Sequence, residues 1–290
     1  MNTAELIGFH RRQLECWPLA ASNFEALAGV EKRAVSVGGV QFTLQHNPAR
    51  IASTGAKVDA ASIRQRKCFL CKDNRPPEQI VLDAGEYEIL VNPFPIFPLH
   101  FTIPAKKHVD QLITANDCRR FADMLDMSRW LQGVALFYNG PHCGASAPDH
   151  FHFQGVETAK VPLIGWLDAG TALPYEVMHV ETTSTDEAAC WFADRVEALR
   201  HRPENAGEDE PRFNLWCAFY GDKFHIAMIP RRAHRPDFYG SAPDQILLSP
   251  ASVDLAGVII VPSADDFHRK IDGGVVAELM RQTCYANGAI

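Results

Sequence analysis

The 290-residue sequence predicts an α+β fold of antiparallel sheets with flanking helices, arranged as two diverged halves. Three observations predict it. Short runs rich in β-branched and aromatic residues alternate with longer amphipathic ones. A polar stretch containing Pro and Gly, RHRPENAGEDEP at residues 200–211, divides the chain unevenly. Finally, a strand-like run ending in Ile-Pro, then three residues with two bases, then His, occurs on each side of it. The two copies are IPAKKH at 103–108 and IPRRAH at 229–234.

Residues 2–17 read as an amphipathic helix, with Leu6, Phe9 and Leu14 on one side. VGGVQFTLQ (the 38–46 region), YEILVN and LHFTIP follow as strands bounded by Gly, Pro or Asn. A helix is expected over 116–132, then strands VALFYN, DHFHFQ and YEVMHVE. The helix over 186–200 opens on Ser184 and Glu187, at capping-box spacing. Beyond 200–211 come RFNLWCAFY, KFHIAMIP, AGVIIVP and a last helix over 273–285. The expected organisation is an N-terminal half over residues 1–199, a linker over 200–211 and a C-terminal half over 212–290. Only the N-terminal half carries a Cys pair and a double His, so one functional centre per chain is expected.

At 47% hydrophobic the chain can bury a sizeable core. A net charge of −7 disfavours a nucleic-acid partner. No apolar run is long enough to span a bilayer, and charges interrupt the N-terminal segment. The expectation is a soluble, cytoplasmic protein with no membrane partner. Its 8 cysteines are then reduced thiols or metal ligands. Cys16, Cys118, Cys190, Cys217 and Cys284 stand alone and read as buried, inert thiols. Against the acidic total, one stretch is basic. Arg50, Lys57, Arg64, Arg66, Lys67, Lys72 and Arg75 outnumber Asp59 and Asp73, and such a stretch can hold a small polyanion such as a phosphate ester.

The stretch GASAPDHFHFQ, 144–154, carries the most chemistry. Read as a strand, it puts His150, His152 and Gln154 on one face and Phe151 and Phe153 on the other. A neutral imidazole is a good phosphoryl or nucleotidyl acceptor, and a neighbouring amide can donate to a phosphate oxygen. The preceding loop, Asn139 to Ser146, contains glycines and can bring N–H groups and the Ser146 hydroxyl to an anion. The bland alternative is a half-exposed strand with a polar wet face; the Gln and the Gly-Ser loop favour function.

Cys68 and Cys71, in KCFLCK, have zinc-ligand spacing, and His108 and His150 are candidates to complete a Cys2His2 set. A redox pair is the competing reading. Asp73-Asn74-Arg75-Pro76-Pro77 does not continue a helix from the second Cys, which favours zinc. Four protein ligands would make the metal structural, orienting the strand that bears His152.

These residues resemble the galactose-1-phosphate uridylyltransferase branch of the histidine triad superfamily, which also holds GDP-galactose phosphorylases and dinucleoside-tetraphosphate phosphorylases. The hallmark His-x-His-x-Gln is found as His150-Phe151-His152-Phe153-Gln154. CFLC followed by Asn74 and Arg75 resembles the uridylyltransferase zinc knuckle, and IPAKKH the segment supplying His108. Asn47-Pro48-Ala49-Arg50 is similar to an early phosphate-contacting segment, YEILVN to the strand whose Asn92 meets the ribose, and FYNG supplies Asn139. The C-terminal runs look more like GDP-galactose phosphorylases, and the likeness covers most of residues 40–270.

The resemblance implies a histidine-triad-like fold and a role for each position. His152 is the nucleophile and Gln154 holds the phosphate. Phe69 lies against the base, and Arg50, Asn92, Asn139 and Ser146 contact the nucleotide or its phosphates. Cys68, Cys71, His108 and His150 bind structural Zn2+. Phe151, where uridylyltransferases carry Pro, favours a phosphorylase.

The expected function is thus a nucleotidyltransferase or phosphorylase. It would move a nucleoside monophosphate from a nucleotide-sugar or dinucleoside polyphosphate to phosphate or a sugar 1-phosphate, through a nucleotidyl-His152 intermediate. The alternatives are a hydrolase of the same superfamily, which Gln154 disfavours, and a nucleotide-binding zinc protein without turnover. The resemblance leaves oligomeric state open between a homodimer that builds the site across its interface and a monomer of two fused halves, and the repeated Ile-Pro pattern fits both.

Overall fold

The computed structural model describes residues 1, 3–51, 55, 59–114 and 118–287. Lys57 and the expected start of the helix at 116–117 lie outside the described residues. The α+β architecture with antiparallel sheets and flanking helices is the one found.

The large sheet has eight strands: β3 (Leu82–Ala84), β4 (Tyr87–Val91), β5 (His100–Pro104), β6 (Val134–Asn139), β7 (His152–Glu157), β8 (Met178–Thr182), β9 (Phe213–Tyr220) and β10 (Lys223–Pro230). Their spatial order is β3-β4-β5-β7-β6-β9-β10-β8, with every pairing antiparallel. Strands from both sides of residues 200–211 therefore share one sheet, joined where Phe137 of β6 faces Trp216 of β9.

Side chains alternate between the two faces. Val134, Leu136, Tyr138, Phe153, Leu215, Cys217, Ile226 and Met228 pack on one face. There they meet Leu6 and Phe9 of α1 (Thr3–Cys16), Phe121 and Met124 of α4 (Arg119–Trp130), and Phe192 and Val196 of α6 (Thr185–Arg200). Ala135, Phe137, Val156, Trp216, Ala227 and Ile229 pack on the other. That face meets a second sheet of β1 (Lys32–Val37), β2 (Val40–His46) and β11 (Val258–Val261), with α8 (Gly273–Thr283). The second sheet contains a parallel pair, β2 with β11, formed between residues far apart in the chain.

Several local expectations change. VGGVQFTLQ is not one strand: Gly38 and Gly39, with φ of 57° and 84°, make the two-residue turn of the β1–β2 hairpin. Two successive positive φ angles match the right-handed twist of a hairpin, and glycine adopts them without a Cβ clash. Three further helices lie near the cavity or the second sheet: α2 (Pro18–Ala28), α3 (Ala60–Gln65) and α5 (Pro162–Asp168), together with the single turn α7 (Ser252–Leu255). Pro18 and Pro162 occupy the first turn of α2 and α5, where a missing N–H costs nothing. The Ser184 cap forms, its Oγ accepting from the Glu187 N–H at 3.2 Å, but the Glu187 carboxylate accepts from Thr182 Oγ1 at 2.5 Å. Cys217 and Cys284 are buried, and Cys16 and Cys190 are exposed on helices, contrary to expectation. Amphipathic spacing places a thiol on a helix but not on its inner face.

Residues 200–211 are bonded to residues on both sides of them in the chain; on the C-terminal side, Glu204 accepts from Tyr285 Oη at 2.8 Å. Arg202 grips the Glu176 carboxylate through two 2.8 Å bonds, and Glu210 is buried against Tyr138. Among the described residues, no helix is long and apolar enough to cross a membrane.

Candidate active site and metal centre

A cavity of about 650 Å³ is walled by residues of both sheets, the N-terminal helices and the C-terminal segment. His152, Gln154, Arg50, Phe69, Asn92, Asn139 and Ser146 all line it. Cys68, Cys71, His108 and His150 form a separate cluster beside it, with ligand atoms all within 4.8 Å of one another. The structure thus brings together both expected residue sets.

One expectation is corrected. The strand begins at His152, so His150 lies before it. His152 and Gln154 share the strand face that also carries Val156, while His150 turns into the thiol cluster. Phe151 and Phe153 are fully buried and pack edge to face, 4.9 Å between centroids. They anchor the segment from behind.

His152 is 4% exposed. Its Nδ1 lies 2.9 Å from the His150 carbonyl oxygen. A carbonyl can only accept, so Nδ1 carries the proton and Nε2 the lone pair. Gln111 fixes the backbone, its Oε1 accepting from the His152 N–H at 2.7 Å and its Nε2 donating to the His152 carbonyl at 3.0 Å. Burial pushes the imidazole down to about 4, so it is neutral at ordinary pH.

Gln154 is oriented by a residue the sequence reading missed. The Ile96 N–H donates to His100 Nδ1 at 3.2 Å, so the His100 proton is on Nε2. That Nε2–H donates to Gln154 Oε1 at 2.9 Å. The Gln154 carbonyl is thereby committed, and its NH2 is the end left for the cavity. His100 is fully buried, and desolvation, with Arg50 nearby, pushes it down to about 3.

Asn139 is fixed similarly. Its Oδ1 accepts from Asn214 Nδ2 and from the Ser252 N–H, both at 2.9 Å, which leaves its amide N–H groups as donors. Asn214 Oδ1 accepts from Arg231 at 2.7 Å. Arg231 is fully buried, and its other bonds go to the carbonyls of Thr283, Pro250, Ala233 and His234. Gly144, at φ 99°, lets the loop bearing Ser146 touch this segment, because a Cβ there would come within 2.5 Å of Ala251 Cβ.

Arg50 donates to the Phe94 carbonyl at 2.8 Å. Burial lowers it to about 10, opposed by the nearby Asp254 carboxylate. Asn92 holds its loop, accepting from the Phe94 N–H at 2.9 Å and donating to Thr102 Oγ1 at 3.1 Å. Phe69 is 48% exposed, with the Arg66 guanidinium 5.0 Å from its ring centroid. Arg66 also pairs with Asp149 at 2.5 Å. Of the basic stretch, then, Arg50 and Arg66 reach the cavity.

The cluster suits a tetrahedral metal. Cys68 Sγ and Cys71 Sγ lie 3.2 and 3.6 Å from His150 Nδ1, Cys71 Sγ lies 3.2 Å from His108 Nδ1, and the two Nδ1 atoms are 3.3 Å apart. The edges of a zinc tetrahedron are about 3.3–3.6 Å for N···N and N···S at ordinary bond lengths. His150 Nε2 donates to the Ala105 carbonyl at 2.8 Å, so its Nδ1 lone pair faces the sulfurs. Burial opposes ionisation of Cys68, but the adjacent His150 and the backbone N–H groups of Leu70 and Cys71 outweigh it and hold the thiol below its ordinary value. Asn74 and Arg75 brace the loop, donating to the Cys68 carbonyl at 3.0 Å and to the Leu70 carbonyl at 2.6 and 2.8 Å.

Residues after 212 supply His234, Arg235, Ser249 and Asp254 to the cavity wall. Only His234 had a signal in the sequence, as the end of the second Ile-Pro copy. In the first copy that place is His108, which joins the thiols.

Compared with curated proteins, the sequence has no match. Among solved structures, yeast Ap4A phosphorylase Apa2 is similar at 18% identity and a TM-score of 0.61, covering 94% of this chain and 98% of that one. The same enzyme in complex with AMP matches at 19% and 0.57, covering 96% and 98%. Its complex with Ap4A matches at 19% and 0.57, covering 94% and 98%. The likeness extends over nearly the whole of both chains and shows a shared fold. The family described as "Domain of unknown function (DUF4922)" matches residues 9–157, more than half of the sequence and the region holding both the thiol cluster and His152, and the chain belongs to that family.

Proposed function

We propose that the protein is a nucleotidyltransferase of phosphorylase type, acting on a dinucleoside polyphosphate through a nucleotidyl-His152 intermediate. The observation that carries this reading is the pair His152 and Gln154 on one strand face. One presents a neutral Nε2 lone pair, the other an amide NH2, to the same cavity. Nε2 attacks the α-phosphorus, forming a P–N bond. The bridging P–O bond breaks and its electron pair leaves with the nucleoside polyphosphate. A phosphate oxygen then attacks the same phosphorus and the P–N bond breaks. The leaving nucleoside polyphosphate is a stable anion, so its departure needs no general acid. The Nδ1–H to carbonyl bond holds the ring as positive charge develops on it. Gln154 and Asn139 offer amide donors to the non-bridging oxygens.

In this reading residues 1–199 are the catalytic half, and 212–290 complete the cavity. Phe69, beside Arg66, lies against the base; Arg50, Asn92 and Ser146 serve the ribose and phosphates. Zinc held by Cys68, Cys71, His108 and His150 is structural, since four protein donors leave no open position. It fixes the segment entering β7. A nucleotide-sugar is the other donor that such a centre can use.

The test is phosphorolysis with labelled orthophosphate and a panel of donors: diadenosine tetraphosphate and ADP-, GDP- and UDP-sugars. Label appearing in a nucleoside diphosphate supports the reading, and the donor that yields it names the substrate. Donor consumption without label in the product sinks the phosphorylase and leaves a hydrolase.

A further inference from the structure

Part of the cavity wall comes from the segment after β10 and the segment before α7, and Arg235 brings positive charge to it. Arg235 is held there by an Nε–H bond to Ser249 Oγ at 3.0 Å and by stacking 4.1 Å from the Tyr239 ring centroid. The carbonyls of Ala233 and His234 are clamped by Arg231 Nη2 at 3.0 and 3.2 Å, so the loop is fixed. Arg231 is fully buried and bonds only to neutral acceptors; among the described residues it forms no ion pair. A buried guanidinium without a carboxylate is costly unless a counter-charge comes from elsewhere. The loop that Arg231 clamps carries His234 and Arg235 to the cavity wall. His234 stands in the same field. Burial, with Arg235, Arg231, His142 and Arg212 around it, pushes its imidazole down to about 3.

We propose that Arg235 and His234, backed by Arg231, form an anion subsite for the phosphate chain that leaves the nucleotidyl group and for the orthophosphate that replaces it. The proposal rests on the phosphorylase reading above. In a ping-pong transfer the departing and arriving groups occupy the same place in turn, so one subsite serves both. The charge that builds on the bridging oxygen as the P–O bond breaks falls on this wall and is met by fixed dipoles and charges. A phosphate chain uses such a wall fully; a sugar 1-phosphate, the group that leaves a nucleotide-sugar, brings a single phosphate to it. The subsite therefore selects the phosphate-chain donor.

The experiment measures binding by calorimetry to the full chain carrying His152→Ala, which removes turnover. The probes are tripolyphosphate and AMP. Arg235→Gln is expected to weaken tripolyphosphate by about tenfold or more while AMP stays within about twofold, because a charge-assisted bond is lost on one side of the cavity only. Arg235→Lys should restore some of the loss. His234→Asn, which leaves the Arg231 clamp intact, is the second variant should Arg235→Gln unfold, and it should weaken tripolyphosphate selectively as well. Tripolyphosphate binding that is absent in the parent, unchanged in the variants or lost in step with AMP overturns the subsite. The phosphorolysis reading is judged separately, by whether wild-type protein passes label from orthophosphate into nucleotide.

Discussion

His100 Nε2 donates to Gln154 Oε1 across 2.9 Å, and the direction of that bond is fixed by the Ile96 N–H on the other ring nitrogen. A backbone amide thus sets a side-chain tautomer, and the tautomer sets which end of Gln154 meets the cavity. Substituting His100→Leu should free the Gln154 amide to rotate. The expected result is nucleotidyl transfer slowed by about tenfold with nucleotide affinity nearly unchanged, against about a hundredfold for Gln154→Ala. Single-turnover rates beside equilibrium binding separate the two. Equal losses of rate and affinity would make His100 a general packing residue.

The same histidine makes stability depend on pH. Its folded value, about 3, lies below the ordinary 6.5 because of burial and Arg50. Above pH 6.5 it is neutral in both states and contributes no slope. Below that, the unfolded chain takes up a proton the folded chain refuses, so stability falls as pH drops from about 6.5 towards 3. Each such site adds up to about 1.4 kcal/mol per pH unit. Urea titrations between pH 6 and 4 should show a slope shallower by about that amount in His100→Leu. An unchanged slope would mean that His100 is protonated in the folded protein.

Much of this site was legible in the sequence because its chemistry sits in short motifs. His-x-His-x-Gln and CxxC fix spacing within a few residues, and one strand or one loop then presents them. The α+β sheets were legible for the same reason, since period-two runs such as VALFYN and KFHIAMIP pattern their own faces. What was not legible depends on contacts distant in the chain. His100 matters only because β5 lies next to β7, Asn214 only because β9 lies next to β6. The parallel β2–β11 pair joins positions with no local signal. The extended reading of His150 failed because a histidine at a strand's entry looks like one inside it.

Metal content is a direct check on the thiol cluster. One zinc per chain is expected by elemental analysis, falling to a small fraction in Cys68→Ser. Stripping the metal with a strong chelator should lower Tm by at least about 5 °C, since ligand binding to the native state adds its free energy to folding. Metal-free protein of unchanged Tm would remove the structural role.

Arg231 ties Asn214, and through it Asn139, to the loops after β10 and before α7. Arg231→Met fills much of the volume but orphans the Asn214 amide oxygen and four carbonyls. Destabilisation of roughly 3 kcal/mol is expected from urea unfolding. A variant as stable as the parent would show that water or neighbouring donors satisfy those acceptors.

Transfer through His152 requires a covalent nucleotide on its imidazole. The most direct measurement is intact mass after brief mixing with diadenosine tetraphosphate in phosphate-free buffer and acid-free quenching, with His152→Ala in parallel. The wild-type chain should gain the mass of one adenylate, added phosphate should discharge it, and the variant should gain nothing. An unchanged mass under conditions where the dinucleotide is bound, or an adduct of equal size on the variant, would contradict it.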